Sequence, residues 1–142
     1  MNYDYLMELQ QKKELDLFLH NQKGLIAAFL FGSQAQGKAT YGSDIDLALL
    51  YSLAEVPSAE TILSFKQSLE SKLLNDIDLI VLNTANPILK FQVFKQGHIL
   101  FCQDKRELDR FIIKSLMEYD DISRIRLSIE KAIAGRRLYG RS

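Results

Sequence analysis

The sequence of 142 residues has one cysteine, two prolines, no tryptophan and no excess of either charge. Since its single cysteine, Cys102, cannot form an internal disulfide, we expect a reducing compartment. The 18 basic and 18 acidic residues cancel, which removes any bulk attraction to nucleic acid or to an anionic membrane. No apolar run reaches membrane-spanning length, and the polar, acidic first residues differ from a signal peptide. We therefore predict a cytoplasmic protein with no membrane and no direct nucleic-acid partner.

The remaining composition is that of an ordinary soluble domain. Hydrophobic residues make up 47% of the chain and charged residues 25%. This length is enough for one domain with a substantial core. We expect residues 1–103 to form that core, with residues 104–142 as a helical extension of the same compact domain.

Hydrophobic periodicity predicts an alternation of helices and short strands. The predicted helices cover 2–22, 34–36, 59–74, 87–97 and 104–138, and the predicted strands cover 25–31, 45–51, 77–82 and 98–102. Asp120-Asp121 are candidates for a break between two C-terminal helices. The order of elements predicts an α+β (α/β) fold, with a small mixed sheet flanked by helices.

One stretch between the first two strands carries the polar groups that call for an explanation. The first strand stops at Gly32-Ser33, and the second begins with Asp44 and Asp46. Because side chains alternate along a strand, these two carboxylates lie on one face with Cα atoms about 7 Å apart. That separation lets both carboxylates bind one cation or a pair of cations.

The two halves of this stretch fit a site for metal and phosphate. Burying a carboxylate without a partner is costly, and a like charge beside it adds to that cost, whereas a divalent cation removes both penalties. Mg²⁺ prefers oxygen ligands from carboxylates and substrate phosphates. Gly32 gives a phosphate room to approach the backbone, and Ser33 offers a hydroxyl and an N–H group at a helix start. Each half alone is ordinary turn chemistry, and only their combination is specific.

A third carboxylate occurs inside the next apolar run. Asp78 lies within the predicted strand 77–82, where burial without a partner would be unfavourable. Asp76 precedes it directly after Asn75, which favours a turn role for Asp76. If the second and third strands are neighbours, Asp78 lies beside Asp44 and Asp46.

The sequence pattern has three parts: Phe-Gly-Ser, ten further residues, and Asp-Ile-Asp-Leu. This pattern resembles the signature of the nucleotidyltransferase superfamily with a polymerase-β-like palm. The short chain is most similar to the minimal nucleotidyltransferases, the antitoxins of HEPN ribonuclease toxins. This resemblance implies transfer of AMP from ATP to a tyrosine of a HEPN toxin, with two Mg²⁺ ions. It implies that Asp44, Asp46 and Asp78 are catalytic and bind the metal, and that Gly32 and Ser33 bind the nucleotide.

The sequence departs from the family pattern in one place and leaves other functions open. Many relatives carry basic residues where Gln34 and Gln36 stand, and glutamine binds phosphate without neutralising it. One alternative is an antitoxin that silences its toxin by contact through the C-terminal helix, without strong catalysis. Another is a nucleotidyltransferase for a small molecule, which the lack of a large second domain disfavours. Zero net charge disfavours RNA tailing.

The remaining chemically notable residues have structural explanations. We expect His20 to complement the dipole at a helix C-terminus, His98 to be a turn or edge residue, and Cys102 to be a small buried hydrophobic residue. The basic tail over 135–141 is expected to be solvated surface, with docking of a partner or of RNA as the alternative.

Overall fold

The structure, a computed structural model, describes residues 9–32 and 44–139 and forms a sheet with helices on both faces. The elements are α1 (Leu9–His20), β1 (Leu25–Phe31), β2 (Ile45–Tyr51), α2 (Ala59–Leu73), β3 (Ile77–Val81), α3 (Pro87–Gln96), β4 (His98–Cys102) and α4 (Lys105–Tyr139), with single 3₁₀ turns at Leu53–Glu55 and Leu82–Thr84. The strand predictions are correct to within one residue. Apolar runs bounded by glycine or polar turns were sufficient to locate them.

The four strands form one mixed sheet in the order β3-β2-β1-β4. Strand β1 pairs antiparallel with both β2 and β4, whereas β2 and β3 are parallel and joined through α2. This confirms the predicted fold class. It also meets the condition, adjacency of the second and third strands, under which Asp78 was expected beside Asp44 and Asp46. In the parallel pair, the N–H of Ile45 donates to the carbonyl of Asp76 at 2.9 Å, so the pairing begins directly at the acidic end.

Alternation along the central strands divides the core into two layers. One layer lies between the sheet and helices α1 and α2, and it contains Leu15, Leu19, Leu25, Leu30, Leu47, Leu49, Leu69, Leu73 and Ile77. The other lies under α3 and α4, and it contains Ala27, Phe29, Ala48, Leu50, Leu82, Val93 and Leu108. Asp46 is two and four residues before Ala48 and Leu50 on the same strand. Its side chain therefore lies on the same face of the sheet as theirs, the face covered by α3 and α4, which we call the α3/α4 face.

Side chains with typical capping chemistry begin two of the helices. The Ser58 hydroxyl accepts from the N–H of Thr61 at 3.2 Å, and the Asp104 carboxylate accepts from the N–H of Glu107 at 3.1 Å. Pro87 occupies the first turn of α3, where its missing N–H removes no helical hydrogen bond.

Two sequence predictions about the C-terminal part are wrong. Helix α4 runs through Asp120-Asp121 without a break, and Asp120 pairs with Arg124 one turn later at 3.0 Å. Cys102 is exposed rather than buried, because it is the last residue of the edge strand β4. The predicted helical residues 2–8 and 34–36 lie outside the described residues.

Asn83 joins the end of β2 to the turn after β3. Its side-chain oxygen accepts from the N–H of Tyr51 at 2.9 Å, and its amide group donates to the Tyr51 carbonyl at 2.7 Å. The Tyr51 hydroxyl in turn donates to the Gln22 side chain at 2.9 Å, and burial raises the pKa of Tyr51 to about 12. The Asn83 side chain therefore continues the hydrogen bonding between β2 and the β3 segment beyond the last paired residues, Leu49 and Val81.

We expect Asn83→Ala to lower the free energy of unfolding by about 1–3 kcal/mol. The variant leaves the backbone N–H and carbonyl of Tyr51 without their Asn83 partners. Urea denaturation measures this loss. Asn83→Asp keeps the acceptor but turns a carboxylate oxygen toward the Tyr51 carbonyl, so it should also be less stable than wild type. Equal stability of Asn83→Ala and wild type would contradict a clamping role.

Candidate active site

Two of the predicted site residues face each other across the parallel strands. Asp46 on β2 is in register with Asp78 on β3, which puts both side chains on the α3/α4 face of neighbouring strands. Adjacent strands lie about 4.8 Å apart, so the two carboxylates are direct neighbours. Asp44 immediately precedes β2 with the same parity as Asp46. The structure therefore places Asp46 beside Asp78, with Asp44 near enough for its charge to act on Asp46.

The surroundings of Asp46 oppose the ionisation of its carboxyl group. Asp44 and Asp78 are exposed, so the expected burial of Asp78 within its strand is wrong, whereas Asp46 is partly buried. Burial raises the pKa of the Asp46 carboxyl to about 6, with smaller contributions from the charges of Asp78 and Asp44. An acid that resists ionisation near neutral pH, with two carboxylates beside it, is typical of a functional site.

Gly32 packs directly against the Asp46 carboxylate. Its φ of +75° belongs to the left-handed region that side chains rarely adopt, and a Cβ there would lie 3.0 Å from the Asp46 Cγ and collide with its Oδ2. The sequence assigned Gly32 to nucleotide binding alone. Its role in making room for Asp46 was missed, because it depends on the pairing of Phe31 with Asp46 across β1 and β2.

Ser33, Gln34 and Gln36 lie outside the described residues, so the assignment of Ser33 to nucleotide binding stays a prediction. The same holds for the effect of the two glutamines on nucleotide affinity.

The acidic cluster offers the donors that a hard divalent cation prefers. Its ligand atoms are carboxylate oxygens, and a cation would relieve the burial and repulsion that act on Asp46. Within 9–32 and 44–139, no three acidic, histidine or cysteine side chains converge closely enough to hold one metal ion by themselves. Mg²⁺ commonly uses one or two carboxylates and takes its other ligands from substrate phosphates and water. The residues therefore fit Mg²⁺ that binds together with a nucleotide.

The two histidines have the structural positions that were predicted. His20 closes the last turn of α1, with Nδ1 2.8 Å from the carbonyl oxygen of Asp16 and its ring edge-on to Phe101. His98 is the first residue of β4, an edge strand, and pairs with Leu30.

Among the helices of the described residues, none combines the length and apolarity that crossing a membrane requires.

Comparison with known families agrees with this geometry. Residues 13–106 match the family model described as polymerase beta, nucleotidyltransferase. The chain is a nucleotidyltransferase of this family. The matched span contains both the glycine turn and the three aspartates. The predicted family resemblance is therefore confirmed.

Known relatives of this nucleotidyltransferase are similar along nearly the whole chain. It is 33% identical to the protein adenylyltransferase MntA of Shewanella oneidensis over 125 residues, which is 87% of each protein. A crystal structure of a toxin–antitoxin with AMP-PNP superposes with a TM-score of 0.75 at 30% identity, and the alignment covers 89% of this chain and 99% of that one. The structure of a tri-AMPylated Shewanella oneidensis HEPN toxin in complex with its MNT antitoxin gives a TM-score of 0.70 at 26% identity, over 87% and 96% of the chains.

Proposed function

We propose that this nucleotidyltransferase is an antitoxin that transfers AMP from ATP to a tyrosine hydroxyl of a partner HEPN ribonuclease toxin. The observation that carries the proposal is the in-register pair of Asp46 and Asp78 beside Gly32, in a chain of this family. Its similarity to an adenylyltransferase, to a toxin–antitoxin solved with AMP-PNP and to an antitoxin in complex with an AMPylated toxin supports the donor and the acceptor.

The reaction exchanges one phosphate bond for another. The acceptor oxygen attacks the α-phosphorus of ATP, the bond between that phosphorus and the bridging oxygen of the β-phosphate breaks, and pyrophosphate leaves. Asp44, Asp46 and Asp78 would hold two Mg²⁺ ions, which would supply positive charge to the reacting phosphate.

The chain's own side chains have three distinct tasks in this proposal. Asp78, which is exposed at the start of β3, accepts the proton of the acceptor hydroxyl. Asp46 anchors the site because β1 and β3 flank it on both sides and Gly32 packs behind it. Gly32 and Ser33 are the proposed phosphate-binding residues, since backbone N–H groups can hold an anion.

The direct test is incubation of the protein with Mg²⁺, ATP and the HEPN-domain protein of the same genome, followed by intact mass measurement. We expect the mass of the HEPN protein to rise in steps of one AMP. We also expect Mg²⁺ with ATP at about a hundredfold excess over Kd to raise the free energy of unfolding of the nucleotidyltransferase by about 2–3 kcal/mol. An unchanged melt and an unmodified HEPN protein that still binds would instead favour an antitoxin acting by contact alone.

A further inference from the structure

The C-terminal part of α4 has an apolar face that the described residues leave about half exposed. At seven-residue spacing, this face begins with Leu108 and Ser115, each 1% exposed. It continues through half-buried Ile122 to Ile129, which is 54% exposed. The face that anchors α4 to the domain therefore continues beyond the point where the domain covers it.

Four isoleucines form this continuation, which we call the isoleucine stripe: Ile122, Ile125, Ile129 and Ile133. Their spacing of i, i+3, i+7 and i+11 aligns them along one side of the helix over about 17 Å. Ile125 is 60% exposed and Ile133 is 44% exposed. Exposed apolar residues scattered singly need no explanation, but a contiguous stripe with helical spacing is the anchor pattern of one helix bound in the groove of another.

The net charge of the sequence segment that carries the stripe limits what can cover the stripe. Residues 122–142 contain six of the eighteen basic residues of the chain and only one of its eighteen acidic residues, Glu130. The end of the chain therefore has a formal charge of +5, and residues 1–121 have a charge of −5. Pairing of two copies through this stripe would bring two strongly basic segments together. A nucleic acid would use the cations but would leave the isoleucines in water.

We propose that the isoleucine stripe is the docking surface for a helical partner whose own apolar seam is flanked by acidic residues. Resting on the proposed function, this partner is the HEPN toxin. The stripe contains none of the aspartates of the candidate active site, so docking and transfer can be impaired separately.

The test measures the affinity of the full-length protein for the HEPN-domain protein by biolayer interferometry. We expect Ile129→Asp to weaken the complex at least about tenfold, because it places a charge in the middle of an apolar seam. The affinity of the wild-type complex should also fall with rising salt, since basic and acidic flanks attract each other.

The matched control is Leu127→Asp. Leu127 is 53% exposed, lies two residues from Ile129 and so projects from a different face of α4, and its replacement adds the same charge. Leu127→Asp should bind within about twofold of wild type, and circular dichroism should show equal helicity for both variants. Equal weakening by both variants, or by neither, would overturn the proposal.

Two further measurements test a second copy of the chain and RNA as occupants of the stripe. A third comparison distinguishes failure of docking from failure of AMP transfer. Sedimentation of the chain alone should show a monomer, and a dimer that Ile129→Asp dissociates would make a second copy the occupant. Tight binding of a single-stranded RNA probe that displaces the HEPN protein would also overturn the proposal. If the HEPN protein binds through the stripe but acquires no AMP, the docking surface stands and the transfer activity fails.

Discussion

Asp46→Asn is expected to lower AMP transfer by about a thousandfold or more, and to raise the free energy of unfolding at neutral pH in the absence of metal. Asparagine keeps the size of the side chain and one oxygen, but it removes the negative charge on which cation binding depends. The same charge is unfavourable in the metal-free fold, because burial and the charges of Asp78 and Asp44 raise the pKa of Asp46 to about 6.

The sign of the stability change follows from linkage. An unfolded aspartate titrates near pH 3.9, so between about pH 4 and pH 6 the folded protein holds a proton on Asp46 that the unfolded chain has released. The contribution of Asp46 to stability is therefore fully present below about pH 4 and is lost as the pH rises through 6. With allowance for solvent screening at a partly exposed site, the loss is about 1–2 kcal/mol.

Urea denaturation at pH 4.5 and pH 7.5 without divalent cations measures this effect. We expect Asp46→Asn to exceed wild type at pH 7.5 and to approach it at pH 4.5. Asp76→Asn is the control, since Asp76 is an exposed aspartate in the turn before β3, and it should change neither transfer nor stability measurably. Persistent AMP transfer by Asp46→Asn would refute the assignment of the metal site.

Gly32→Ala is expected to reduce AMP transfer about a hundredfold and to destabilise the protein by about 1–3 kcal/mol. Two physical effects combine in this variant. The backbone of Gly32 has a φ of +75°, and the added methyl group collides with the carboxylate of Asp46. Either the glycine turn or the carboxylate must move, and both belong to the proposed nucleotide and metal site.

A double-mutant cycle separates the two effects. In an Asp46→Ala background the collision is gone, so Gly32→Ala should then cost only the strain of its backbone conformation. Gly135→Ala is the matched control, because Gly135 lies in α4 with nothing within 4 Å of an added Cβ. It should stabilise the protein by about 0.5–1 kcal/mol and leave transfer unchanged. Strict additivity of Gly32→Ala and Asp46→Ala would show that the two residues do not meet.

Local patterns in the sequence were sufficient for most of the fold. Each strand is a short apolar run with a clear boundary, and the Ser58 and Asp104 caps have local sequence signals. Asp46 and Asp78 were recognisable as site candidates because each is a charged residue inside an apolar run, but their meeting was expected only if β2 and β3 were neighbours. The resemblance of the sequence pattern to the nucleotidyltransferase superfamily then indicated the chemistry.

Features that depend on distant contacts were not predictable in this way. Lys90 is 6% exposed within α3, where it pairs with Glu118 at 3.3 Å and lies over the Phe111 ring. The apolar periodicity of 87–97 predicts a helix that packs inside. It does not show that α4 supplies a carboxylate and an aromatic ring to a lysine in that helix. The Asn83 clamp was missed for the same reason, because its partner, Tyr51, is distant in sequence.

The parallel pairing of β2 and β3 has a consequence for protein synthesis. Asp46 and Asp78 are thirty-two positions apart and meet only after α2 has folded back across the sheet. Such long-range parallel closure is slow compared with the formation of a hairpin. A nascent chain on the ribosome therefore acquires its acidic pair late, only after α2 and β3 have both been synthesised.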